Sequence, residues 1–95
     1  MPGAMRARAR VVFRGEVQDV NFRAYCRENA FDLGLTGWVR NLPDGSVEAV
    51  FEGEREAVER AIEWNCVSQP RARVTNHQIA WAEPEDELRT FEIRR

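Results

Sequence analysis

Apolar and charged side chains alternate over residues 8–15, with Val11 and Phe13 set against Arg10, Val12 and Arg14. That is the two-residue period of a strand. Val12 breaks strict alternation, so both faces of this strand are expected to be partly covered. Residues 16–21 read as a loop, and Asn21 is placed to cap a helix. The period then lengthens. Phe22, Tyr25, Cys26, Asn29, Ala30 and Leu33 recur at three- and four-residue steps, which predicts a helix with one inward face, closed by Gly34 just past its end.

Alternation returns over residues 35–42, with Trp38 and Arg40 on one face and Val39 and Asn41 on the other. Pro43-Asp44-Gly45 supplies a turn: proline fixes φ, and Asp-Gly accepts turn dihedrals. Residues 46–52 set Val47, Ala49 and Phe51 against Glu48, Val50 and Glu52, so the two strands form a hairpin. A second helix is predicted over 53–66, with an inner stripe of Ala57, Val58, Ala61, Ile62 and Asn65. Glu54 and Glu56 fall in its first turn, where the helix dipole favours acids. A strand over 72–82 carries Val74, Ile79 and Trp81, an acidic turn spans 84–88, and a short strand over 90–94 carries Phe91 and Ile93. The order is βαββαβ with a terminal strand addition. This predicts an α+β, ferredoxin-like split βαβ sandwich: two helices on one face of an antiparallel sheet, with an extra short strand at the end.

Composition narrows the class without naming an activity. Ninety-five residues, 43% of them hydrophobic, suit one soluble domain over 1–95, with residues 1–6 expected as a loose leader. Nothing approaches the roughly 20 apolar residues of a membrane helix, and the first residues lack the apolar stretch of a signal peptide. A cytoplasmic monomer is expected. The net charge of −2 speaks against nucleic acid as a partner. Every basic residue is arginine, which excludes a lysine nucleophile or Schiff base. Cys26 and Cys66 form no CxxC and are expected as reduced thiols. The predicted topology puts the start of the first helix and the end of the second at one end of the molecule, so a disulfide between them is a second option.

Topology leaves function open, because this fold hosts many activities. The residues narrow it. Gly15-Glu16-Val17-Gln18-Asp19-Val20-Asn21-Phe22-Arg23 resembles the acylphosphatase pattern G-x-V-Q-G-V-x-F-R. Gly37-Trp38-Val39-Arg40-Asn41-Leu42-Pro43-Asp44-Gly45-Ser46-Val47-Glu48-Ala49 matches G-W-V-R-N-x-x-D-G-S-V-E-A at every fixed position. The similarity runs over most of the chain. It implies metal-independent, cofactor-free hydrolysis of the carboxyl–phosphate bond of small-molecule acyl phosphates, with inorganic phosphate as a product. It also implies that Arg23 binds the phosphoryl group, that Asn41 orients the attacking water, and that Gly15, Glu16, Val17, Gln18, Asp19 and Val20 form the loop whose amides cradle the phosphate.

Physical chemistry supports the same roles. A strand that runs through a loop into a helix aims several amides at one spot, a ready anion site. Arg23, in the first helical turn, can grip phosphate oxygens through its planar fork. Phosphoryl transfer asks mainly for position and charge stabilisation, and a carboxylate leaves readily. Asn41 can accept a water hydrogen and fix the direction of the water's lone pair. No general base stands out, since His77 falls in the fourth strand; the substrate's own phosphate is the expected proton acceptor. Trp38 and Trp81 are expected to pack on the sheet, Trp64 to be half exposed, and Arg40 to be a solvated strand residue.

Position 19 departs from the pattern, with Asp in place of Gly. Asp tolerates left-handed backbone better than most residues, but its charge opposes the ligand. A carboxylate about 6 Å from a phosphoryl group, at an effective dielectric of about 20–40, repels it by about 1–3 kcal/mol per unit charge. That is on the order of 10- to 100-fold in binding or rate. Pairing of Asp19 with Arg14 or Arg23 would occupy the cradle from within. Two readings follow: an acylphosphatase weakened by Asp19, and a binding or regulatory module that keeps the fold without turnover. An RNA-binding module of similar topology lacks its aromatic sheet signature here.

Overall fold

The structure, a computed structural model, describes residues 5–95. Five strands and two helices follow in the order β1 (Arg6–Glu16), α1 (Phe22–Asp32), β2 (Thr36–Asn41), β3 (Val47–Glu54), α2 (Arg55–Val67), β4 (Arg73–Ala82) and β5 (Phe91–Arg94). Strand β1 begins earlier than its apolar pattern indicates. Arg6 lies opposite Glu54 in the β1–β3 ladder, and the Met5 carbonyl accepts the Arg55 N–H at 2.8 Å. Met5 and Arg6 therefore do not belong to a loose leader; the rest of that expected segment lies outside the described residues.

The sheet order is β4-β1-β3-β2-β5. The first four strands pair antiparallel, as the split βαβ arrangement requires, and β5 adds parallel to β2, with Val39 opposite Ile93. The reason is directional. Strand β4 finishes at the end of the sheet where β2 starts, so a chain that crosses the sheet there must run alongside β2 in the same sense. The crossing segment lies on the outward face, where the Glu85 and Asp86 amides meet the Glu52 carboxylate.

One face of the sheet carries the core. Ala9, Val11, Phe13, Val39, Val47, Ala49, Phe51 and Phe91 pack against Phe22, Cys26 and Ala30 of α1 and Val58, Ala61 and Ile62 of α2. Both helices thus cover the same face. Helix α1 ends in a Schellman motif: Leu35 N–H donates to Ala30 O at 2.9 Å, Gly34 N–H to Phe31 O at 3.0 Å, and Gly34 takes φ +72°. Cys26 and Cys66 are both free. Cys26 sits in the core, where Asn65 is the α2 residue that meets it, while Cys66 is partly buried and lines the groove between α2 and β4.

The outward face differs from the alternation reading. Glu48 and Glu52 occupy polar positions of β3, yet they are 2% and 1% exposed. Glu48 is clamped between Arg10 of β1 and Arg40 of β2, the latter at 2.7 Å. Arg40 is exposed, as expected, and its guanidinium also pairs with this buried carboxylate. Glu52 receives Arg8 at 2.9 Å, Asp86 N–H at 2.7 Å and Glu85 N–H at 3.1 Å. Burial alone would raise both carboxyls; the guanidinium and amide donors outweigh it and hold them below the ordinary carboxylate range. Trp38 lies on this face between the guanidiniums of Arg40 and Arg94, 5.2 and 4.9 Å from its ring. Trp81 packs under Arg55 on the helix side, and Trp64 is half-buried.

Candidate active site

The end of the sheet where β1 and β2 finish also receives the start of α1 and the last residues of β5. The chain turns from β1 into α1 through residues 17–21. Val17 is buried and anchors the loop to the core, and Val20 packs partly against it. The Gln18 carboxamide donates to the carbonyls of Leu42 and Ser46, at 2.8 and 2.9 Å. These two bonds staple the loop to the β2–β3 turn. Asp19 and Asn21 both take left-handed backbone, φ +64° and +61°, a conformation that Asp and Asn accept more readily than other side chains.

The start of α1 departs from the expected cap. Asn21 precedes the helix, but its side chain makes no capping hydrogen bond; only its carbonyl joins the helix, accepting Tyr25 N–H at 3.1 Å. The first-turn N–H groups of Phe22, Arg23 and Ala24 have no intrahelical acceptor and no side-chain cap. They remain available to an anion and carry the positive end of the helix dipole.

A cavity of about 330 Å³ opens at this point, lined by residues from the loop, the first turn of α1, Asn41, Ile93 and Arg95. Arg23 and Asn41, widely separated in sequence, thus share one wall-to-wall space. Arg23 donates from a terminal guanidinium nitrogen to the Arg94 carbonyl at 3.1 Å. Among the described residues it forms no ion pair, and neither does Asp19. Arg14 instead reaches Gln78 at 2.9 Å. The cradle is therefore not closed by an internal Asp19–arginine contact.

The loop residues do not all stand at this cavity. Val17 and Asp19 line it. Gly15 and Glu16 belong to β1, opposite Val74 and Arg73 of β4, after a bulge at Arg14 and Gly15. A Cβ on Gly15 would lie 2.2 Å from the Arg73 carbonyl oxygen, and φ there is +126°, so this glycine answers to strand packing. Gln18 spends its donors on the staple, and Val20 faces the core. Asn21, Phe22, Ala24, Ile93 and Arg95 also line the cavity, though the sequence motifs assign none of them to phosphate binding. Asn21 to Ala24 could have been recognised as the amide donors of the helix start. Ile93 and Arg95 depend on the direction of β5, which nothing in the sequence order reveals. His77 lies elsewhere, in the groove between α2 and β4.

The chain is similar to known acylphosphatases in sequence and in fold. The acylphosphatase family profile matches residues 9–93. An acylphosphatase of Aeropyrum pernix is 56% identical over 88 residues, covering 92% of this chain and 87% of its own. One from a Roseiflexus species is 53% identical over 88 residues, covering 92% and 94%. The structure of an acylphosphatase from Coxiella burnetii superposes with a TM-score of 0.87 at 38% identity, covering 94% of this chain and 93% of that one.

Proposed function

This chain belongs to the acylphosphatase family, and we propose that it hydrolyses acyl phosphates with the amides at the start of α1 and Arg23 holding the phosphoryl group while Asn41 orients the attacking water. The enzyme cleaves the carboxyl–phosphate bond of small-molecule acyl phosphates. The oxygen of water bonds to phosphorus as the bond from phosphorus to the acyl oxygen breaks. The carboxylate leaves with the electron pair, and a proton of the water passes to a phosphoryl oxygen. Arg23 neutralises charge on the equatorial oxygens, and its bond to the Arg94 carbonyl limits the reorientation needed when substrate arrives. The Asn41 amide oxygen takes one hydrogen bond from the water and fixes its approach.

The observation that carries this reading is the single cavity shared by Arg23, Asn41 and the first turn of α1. A 95-residue domain with its own core can act as a monomer. Free Cys26 and Cys66 fit a reducing, cytoplasmic compartment. The test is hydrolysis of acetyl phosphate in the presence of a chelator. Arg23→Ala is expected to lower kcat by about 100- to 1,000-fold, as loss of one charge-stabilising donor does, and Asn41→Ala by a comparable factor. An Asn41→Ala enzyme with full turnover would remove Asn41 from the mechanism.

A further inference from the structure

The reaction cavity does not end at the phosphoryl site. A second cavity, about 430 Å³, is lined by Ala24, Arg27, Glu28, Phe31 and Ile93. It shares Ala24 and Ile93 with the first, so the two spaces meet across one apolar ridge. The four α1 residues stand at i, i+3, i+4 and i+7, one stripe down the flank of the helix, and Ile93 of β5 forms the opposite wall. The stripe runs about 10 Å along the helix axis from Ala24 to Phe31. It is separate from the buried stripe of Phe22, Cys26 and Ala30. At its far end Phe31 is 73% exposed.

A lone exposed apolar residue is ordinary. Phe31 is different because its ring borders a groove that opens onto the phosphoryl site. We propose that this groove is the acyl subsite, and that it selects acyl phosphates whose acyl group is uncharged, apolar and long enough to reach the Phe31 ring. The inference rests on the acylphosphatase reading and adds the substrate class to it. With the phosphoryl group under the α1 amides, the scissile oxygen leads out past Ala24 and Ile93, and the acyl chain follows the groove between α1 and β5. Arg27 and Glu28 are neighbours of opposite charge, so the groove offers no net charge to a distal carboxylate or phosphate. The Arg27 stem, Ile93 and Phe31 offer apolar surface. An acetyl group ends before reaching Phe31; an aryl-alkanoyl group stacks on it.

Acetyl phosphate and 3-phenylpropanoyl phosphate provide the test, because their parent acids are of similar strength and the chemical step is matched. The wild-type kcat/KM is expected to favour 3-phenylpropanoyl phosphate by about 10-fold, from burial of the ring. Phe31→Ala is expected to cut that preference by about 3- to 10-fold, the range of an aromatic pair, with acetyl phosphate turnover and inhibition by inorganic phosphate unchanged. Phe31→Trp restores the preference. Equal rates for the two substrates in the wild type, or a Phe31→Ala variant that lowers both alike, overturns the subsite and leaves the acylphosphatase reading standing. A wild type that hydrolyses neither substrate overturns both.

Discussion

Asp19 is the one acidic side chain among the described residues lining the phosphoryl cavity, and its removal is expected to raise activity. A sphere of the cavity's 330 Å³ has a radius of about 4.3 Å; adding about 1.5 Å for the wall oxygen itself puts the Asp19 carboxylate about 6 Å from a phosphoryl group held near the centre. Asp19 is exposed and unpaired among the described residues, so an effective dielectric of about 40–80 applies instead of an interior value. Against a dianion this gives about 1.4–2.8 kcal/mol, and screening at physiological ionic strength halves it to about 1 kcal/mol. The penalty is milder than the sequence suggested because the side chain faces water. Asp19→Asn is the cleanest perturbation: asparagine accepts the same left-handed backbone and removes only the charge. The assay is kcat/KM for acetyl phosphate at neutral pH, at low ionic strength and again in about 0.5 M salt, where the Debye length shrinks to about 4 Å. The expected gain is about 10-fold or more at low ionic strength, where the interaction is almost unscreened, about 5-fold at physiological ionic strength, and falls towards unity in high salt. No gain at low salt, or a gain indifferent to salt, would refute the electrostatic argument.

Other predictions rest on separate parts of the structure. Gln18→Ala loses both hydrogen bonds of the staple and is expected to cost about 1–3 kcal/mol in urea unfolding, with a raised KM; an unchanged KM and unfolding midpoint would show the staple to be dispensable. Glu48 and Glu52 have carboxyls held below the ordinary range in the folded state, so their stabilisation is complete above about pH 4.3, the unfolded value, and is lost as pH falls through the folded values. Glu52→Gln should therefore flatten the decline in stability between about pH 5 and pH 3, and an acid profile parallel to wild type would contradict this. Burial pushes the Cys26 thiol well above its usual range and raises Cys66 less, so a thiol reagent should label Cys66 first in the native protein and titrate two thiols in the unfolded, unreduced one. Finding fewer than two would establish the disulfide that the structure lacks.

The elements were legible wherever a period carried apolar weight. Both helices declared their inner stripes, and the β2–β3 hairpin declared its turn. The start of β1 did not, because Ala7 and Ala9 alternate with arginines: alanine gives little apolar signal, and only the partner strand β3 identifies the segment. Glu48 and Glu52 look like solvent-facing positions in a one-dimensional pattern. Their burial depends on arginines delivered by β1 and β2, a relation across strands that alternation within one strand does not contain. The sequence likewise predicts that β5 exists but not that its chain crosses the sheet to join β2, the step that makes it parallel. At the site, Arg23 and Asn41 line one cavity. Gly15 and Glu16 pair with β4, a matter of register that one strand's pattern does not contain, and the place of Arg95 depends on the path of β5.

The contacts that bring the site together share one property: their acceptors are main-chain carbonyls. Gln18 reaches Leu42 and Ser46, and Arg23 reaches Arg94. A carboxamide nitrogen has two hydrogens, and here both are used, so glutamate at position 18 would keep the shape while facing two carbonyl oxygens with two more acceptors. The side chains at 42, 46 and 94, by contrast, can change without removing the oxygen that is gripped. The spacing between the cradle and Asn41 is thus written into the backbone path of the β2–β3 turn, and the orientation of Arg23 into that of β5. Both paths are fixed by sheet pairing and by core residues such as Val47 and Phe91. Rigidity at the phosphoryl end is inherited from the sheet, while the flank of α1 beyond Ala24 carries no such ties among the described residues, and this leaves the acyl end free to differ in sequence without disturbing the chemistry.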